Sequence, residues 1–255
     1  MDIIIPEGTK EINENTFENH RNITSVKIPD SVERIGEKAF ANCINLKSLE
    51  LPNSVLSIGA EAFINCLLLE SINIPEGITQ IEEGTFEGCE SLEFINLPES
   101  VTVIKEKAFS GCTGIKNLVI PSNLISCNAN SFPYSEKFLT VNKAYKYEKG
   151  FMINQNNGTL LFFNGKRDIV AVPSDIKEIA SHAFSEVPAK KIYLSESVTK
   201  ISEEAFTGFK DTVEMFVTAS VNDIGKAAFD KNCKVICPKG SYAEDWCKSN
   251  SFRME

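Results

Sequence analysis

One phrase of 23 residues is said four times with small changes between Ile23 and Pro121, and a fixed period of that size implies stacked coils, not a single globular core. Ile28-Pro29, Leu51-Pro52, Ile74-Pro75, Leu97-Pro98 and Ile120-Pro121 all fall at this interval. So do Phe17, Phe40, Phe63, Phe86, Phe109 and Phe132.

Within a phrase the apolar pattern changes period. Leu46, Leu49 and Leu51 have the spacing of a short strand with alternate side chains inward, and Pro52 ends its ladder because proline has no amide hydrogen to donate. Val55 and Ile58 point inward next, and Gly59 suits a turn. The spacing of Ala62, Phe63, Cys66 and Leu69 then predicts one or two helical turns closing the coil. In the first coil His20 stands where later coils carry Cys43, Cys66, Cys89 and Cys112, and Thr9 and Thr16 replace Val and Ala. These changes read as partial capping of an end that has only one neighbour.

The phrase I-P-x-S-V-x-x-I-x-x-x-A-F-x-x-C-x-x-L-x-x-L resembles the BspA-like (Treponema pallidum type) leucine-rich repeat. The residues that carry the likeness are Ile28 to Leu49, Leu51 to Ile72, Ile74 to Ile95 and Leu97 to Leu118. Weaker copies run from Val172 to Ile192, Leu194 to Met215 and Val217 to Val235. The expected fold is an α/β solenoid: a right-handed leucine-rich-repeat coil stack with short parallel strands, 23-residue repeats, an irregular hairpin insert and a C-terminal capping helix.

Four segments are expected along one continuous solenoid: repeats over 1–132, the insert over 133–171, further repeats over 172–238 and the cap over 239–255. Inside the insert, Phe151 to Ile153 and Leu160 to Phe163 flank Asn157-Gly158, a hairpin signal. It is read either as a wide coil or as a functional protrusion. At the other end Ser241, with Glu244 three residues on, forms a capping box that opens a short helix.

Candidate chemistry is sparse. Cys43, Cys66, Cys89 and Cys112 recur at the repeat interval and are expected as an interior ladder of free thiols. Cys233, Cys237 and Cys247 lack a C-x-x-C pair, and His182 is the only histidine in the second half, so no metal site is assigned. There is no Gly-rich phosphate loop, no G-x-S-x-G elbow and no H-E-x-x-H, so neither a catalytic residue nor a cofactor is assigned and the chain is not expected to be an enzyme.

The outward positions of the strands say more. Most are small or polar, but Phe94, Val119, Tyr193 and Phe216 are not. With their neighbours Asn96, Asn117, Lys191 and Glu214 they form the candidate protein-binding face, unless the insert folds over and buries them. Net charge is -9 and lopsided: Met1 to Phe132 holds 9 Lys+Arg against 19 Asp+Glu, which disfavours nucleic acid. No apolar run approaches the roughly 18 residues of a membrane span, so no membrane insertion is expected.

The function expected is a non-enzymatic interaction module with a protein partner, and the resemblance implies cell-surface adhesion or host-protein binding as its setting. The alternative is an intracellular scaffold, with Ile3-Ile4-Ile5 at an uncapped end favouring end-to-end self-association. Met1 to Pro6 shows no secretory signal, which leaves a cytoplasmic protein or a cell-surface domain whose signal has been removed.

Overall fold

In the computed structural model, residues 1–115, 118–127, 131–132 and 143–252 are described. Residues 1–126 with 131–132 cluster as one unit and residues 143–252 as a second. Both are stacks of coils. In the first, Asp2–Ile4, Ser25–Lys27, Ser48–Glu50, Ser71–Asn73 and Phe94–Asn96 form a five-stranded parallel sheet in chain order. A parallel neighbour needs a long crossover, which the rest of each coil supplies. Strand centres Val26, Leu49, Ile72 and Ile95 are in register and buried, while their flanking residues face solvent.

A second, shorter ladder runs alongside. Glu11–Ile12, Arg34–Ile35 and Ser57–Ile58 pair in parallel, as do Gln80–Ile81 and Val103–Ile104. These two-residue strands aim Ile12, Ile35, Ile58, Ile81 and Ile104 into the core.

The side of the coil expected to be helical is not. Around Phe63, the amides of Ala62, Ile64 and Cys66 donate back three residues, to the carbonyls of Gly59, Glu61 and Phe63. The alternating amides of Glu61, Phe63 and Asn65 donate instead to Glu83, Thr85 and Glu87 of the next coil. Every second amide is thus committed to a neighbour, so no i to i−4 ladder can form. Left-handed residues recur twice per coil, at Lys38 and Asn42, Glu61 and Asn65, Gly84 and Gly88, and Lys107 and Gly111, and each interrupts a right-handed helix. The result is a stack of tight turns. A Cβ at Gly88 would lie 2.4 Å from Asn65 Oδ1, so the Asn65 side chain would have to move aside for it.

The stacked turns build the core. Rings of Phe40, Phe63, Phe86 and Phe109 lie 5.4 to 5.6 Å apart and within 8° of parallel. Each cysteine behind them donates its thiol to a phenylalanine carbonyl of the preceding coil: Cys43 to Phe17 at 3.1 Å, Cys66 to Phe40 at 3.2 Å, Cys89 to Phe63 at 3.2 Å and Cys112 to Phe86 at 3.0 Å. In the first described coil His20 takes the cysteine's place. There His20 is exposed, its ring edge-on to Phe17 at 6.1 Å.

In the second unit Ile169–Ala171, Lys191–Tyr193, Val213–Phe216 and Cys233–Ile236 form the corresponding parallel sheet. The expected hairpin is present as Phe151–Asn154 and Thr159–Phe163, extended by Tyr145–Glu148 on its outer side. It does not protrude: Thr159–Phe163 is wholly buried and pairs in parallel with Glu178–Ile179, joining the second ladder with Lys200–Ile201 and Asp223–Ile224. Residues 133–142 of the insert lie outside the described residues. Tyr242–Ser249 is the one α-helix among the described residues, and no helix is long and apolar enough to cross a membrane. Ser241 Oγ accepts from the Glu244 amide at 3.2 Å, and Glu244 Oε2 accepts from the Gly240 amide at 2.6 Å.

Candidate strand-face binding surface

Alternation along each three-residue strand sends its centre into the core and its flanks outward, and register lines those flanks into rows. In the first unit one row reads Asp2, Ser25, Ser48, Ser71, Phe94. Ile4, Lys27, Glu50, Asn73 and Asn96 run beside it. Phe94 is 72% exposed, Val119 only 36%, and Asn96 is exposed. Asn117 lies outside the described residues. Asn73 is tied back to the backbone, its side-chain amide donating to Leu51 O at 2.8 Å and its oxygen accepting from Leu51 N at 3.0 Å.

The second unit brings Lys191, Tyr193, Glu214 and Phe216 together. Tyr193 and Phe216 are register partners whose rings stack at 4.2 Å and 9°. Lys191 Nζ sits 2.8 Å from Glu214 Oε2 and 6.0 Å from the Phe216 ring centroid, a cation facing both a carboxylate and an aromatic face. The Lys191 hydrogen bond holds the Glu214 carboxyl below its ordinary range, with Lys234 adding to the effect. The same bond raises Lys191. Register extends the aromatic row at both ends, to Ala171 and Ile236, and the charged row to Ile169 and Lys234. Of these, Ile169 is well exposed. Sequence reasoning missed Ile236 because the last coil is shortened, although Cys233-Lys234-Val235 carries the strand alternation that would have found it.

Elsewhere the chemistry is quiet. All eight cysteines are free, and seven are buried. Burial pushes the Cys43 thiol up to about 11 and the Cys112 thiol up to about 12, so both stay protonated and poorly nucleophilic near neutrality. His182 Nε2 lies 3.3 Å from Glu204 Oε2, on the turn side of its coil and away from the strand face. Among the described residues no group of three or more His, Cys, Asp or Glu is arranged to hold a metal ion.

A family model for the BspA type leucine rich repeat region matches in six copies over residues 10–139 and 158–240. No curated protein matches the sequence. Among solved structures, a leucine rich cell surface protein from Faecalibacterium prausnitzii A2-165 is similar with a TM-score of 0.52 and 23% identity, over 94% of this chain and 76% of that one. The Treponema pallidum leucine rich repeat protein is 27% identical over 52% of this chain and 70% of its own, with a TM-score of 0.46. A leucine-rich repeat protein from Bacteroides ovatus ATCC 8483 is 21% identical over 100% of this chain and 91% of its own, with a TM-score of 0.49.

Proposed function

The chain belongs to the BspA-type leucine-rich repeat family, and on that premise we propose that it is a non-enzymatic module that binds a protein partner through the outward faces of its strands. The observation that carries this reading is the Tyr193–Phe216 stack. Two large rings stand on a face where alternation would otherwise place small or polar residues, beside a Lys191–Glu214 pair that can rim a contact. Aromatic centres with polar rims are the composition of interface hot spots. A photocrosslinking residue at Tyr193 or Phe94, compared with one at Lys200 or Arg34 on the other ladder, tests it in native cells. Protein adducts are expected from the first two positions only. Adducts confined to Lys200 or Arg34 would overturn the reading.

For its setting we propose the cell surface, where the Faecalibacterium protein of the same fold is described as residing. Protease shaving of intact native cells is expected to release peptides of this chain while a cytosolic control stays protected. Protection of both would instead favour an intracellular scaffold, a reading to which the eight free thiols lend support.

A further inference from the structure

Asparagine precedes glycine at Asn157-Gly158 and again at Asn164-Gly165, and the hairpin region gives the two pairs different settings. In such a pair the glycine amide nitrogen can attack the asparagine Cγ, since glycine has no Cβ to shield it. At Asn157-Gly158 the nucleophile is tied down. The Gly158 amide donates to Asn154 O at 2.9 Å, Gly158 O accepts from the Lys177 amide at 2.8 Å, and the residue is buried. At Asn164-Gly165 the nucleophile is loose. The Gly165 amide makes no hydrogen bond among the described residues, Gly165 is half-buried, and the chain between Phe163 and Ile169 belongs to no strand.

The two target carbonyls are matched, so the amides decide. Asn157 Oδ1 accepts from the Thr159 amide at 3.0 Å, and Asn164 Oδ1 accepts from the Tyr147 hydroxyl at 2.8 Å. Packing also keeps the loose pair in place. A Cβ at Gly165 would lie 2.4 Å from Phe163 Cζ, so a larger residue has to displace a buried ring that packs against Phe151 and Phe184.

We propose that Asn164 is a modification site, deamidating through Gly165 in the folded protein while the turn around Gly158 protects Asn157. A base in the solvent takes the Gly165 amide proton, the nitrogen bonds to Asn164 Cγ, and charge gathers on Oδ1, where the Tyr147 hydroxyl stabilises it. The Cγ–Nδ2 bond then breaks, Nδ2 takes up a proton and leaves as ammonia, and a cyclic imide remains. Water opens the ring. Cleavage at Cγ leaves aspartate on the ordinary backbone. Cleavage at the main-chain carbonyl leaves isoaspartate, whose chain runs through Cβ and Cγ, and nothing is oxidised or reduced on either route. Isoaspartate lengthens the link between Thr159–Phe163 and Ile169–Ala171 by one carbon.

The test is to hold the purified full chain in mildly alkaline buffer, native and in concentrated urea. Both asparagines are followed by peptide mapping, with isoaspartate marked by its carboxyl methyltransferase. In the native chain Asn164 is expected to convert about five- to tenfold faster than Asn157, the factor that one backbone hydrogen bond commands. In urea the two rates should converge. Tyr147→Phe, first shown to melt like the parent, should slow native Asn164 severalfold and leave its rate in urea unchanged. A native chain in which Asn164 stays intact, converts no faster than Asn157 or falls behind it would overturn the proposal without any variant. A gap that persists in urea would trace the difference to neighbouring residues, not to the fold, and overturn it equally. An unchanged native rate in Tyr147→Phe would overturn the role given to the tyrosine hydroxyl.

Discussion

Phe63 shows how much of each coil rests on one side chain. Its ring is fully buried, with Phe40 at 5.4 Å on one side and Phe86 at 5.6 Å on the other, each nearly parallel to it. Truncation removes both contacts and leaves a gap between two hydrogen-bonded coils that cannot close it. Phe63→Ala is therefore expected to cost about 3–5 kcal/mol in a urea titration; a parental midpoint would mean that the side chain does not carry the stack. The thiols next to the rings make a second prediction. An exposed thiol titrates near 9, while burial raises Cys43 to about 11 and Cys112 to about 12. The folded state thus holds these protons more tightly than the unfolded one. That contribution is complete below pH 9 and is lost as pH rises through 11 to 12. The urea midpoint should fall as pH is raised above 9, and Cys43→Ser with Cys112→Ser should flatten the decline. A midpoint that stays level up to pH 11 would show that the thiols do not couple to folding.

Elements were legible in proportion to how much of them a period can encode. The three-residue strands followed from Leu46, Leu49 and Leu51, and the phenylalanine ladder from its constant interval. The turn side was misread because Ala62, Phe63, Cys66 and Leu69 share the same spacing in a helix and in stacked turns. What separates the two is handedness, and the signal lay in Gly84, Gly88 and Gly111 and in Asn42 and Asn65, the residue types that accept positive φ most easily. The second ladder was not legible, since two residues carry no alternation. On the candidate face, Phe94, Tyr193 and Phe216 announced themselves as large groups at outward positions, whereas the pairing of Tyr193 with Ala171 and of Phe216 with Ile236 needed the register. The one helix was legible from its first turn. Ser241 Oγ caps the Glu244 amide, and the Gly240 amide and Lys248 together hold the Glu244 carboxyl below its ordinary range. Ser241→Ala should lower stability by about 1 kcal/mol, read from the thermal melt, and Ser241→Asp should recover it. An unchanged melt for Ser241→Ala would mean that the helix adds nothing to the folded unit.

At the scale of the whole molecule the question is what lets a repeat stack stop, because an end coil exposes the apolar face that its neighbour would have covered. The second unit answers it from within 143–252. Its aromatic stack runs from Phe163 through Phe184 and Phe206 to Phe229, at 5.7, 4.9 and 5.5 Å. Phe163 comes from the hairpin, whose backbone also joins the stack where the Phe163 amide donates to Ala183 O at 2.8 Å. At the far end Trp246 of the helix stands edge-on to Phe229 at 5.6 Å, and Phe252 tilts against it at 5.9 Å. Ala243 and Cys247 are buried on the same helix. A hairpin without a repeat's sequence and a helix without a repeat's shape thus serve as the two lids of one core. A fragment spanning 143–255 should then fold alone, with a single cooperative thermal transition and a β-type far-ultraviolet spectrum. Trp246→Ala and Phe163→Ala should each lower its midpoint, from opposite ends of the same stack. If the fragment shows no cooperative transition, the lids are insufficient and its stability must be drawn from coils beyond it. If it melts cooperatively but ignores both substitutions, the stack is held by its strand ladders and not by aromatic closure.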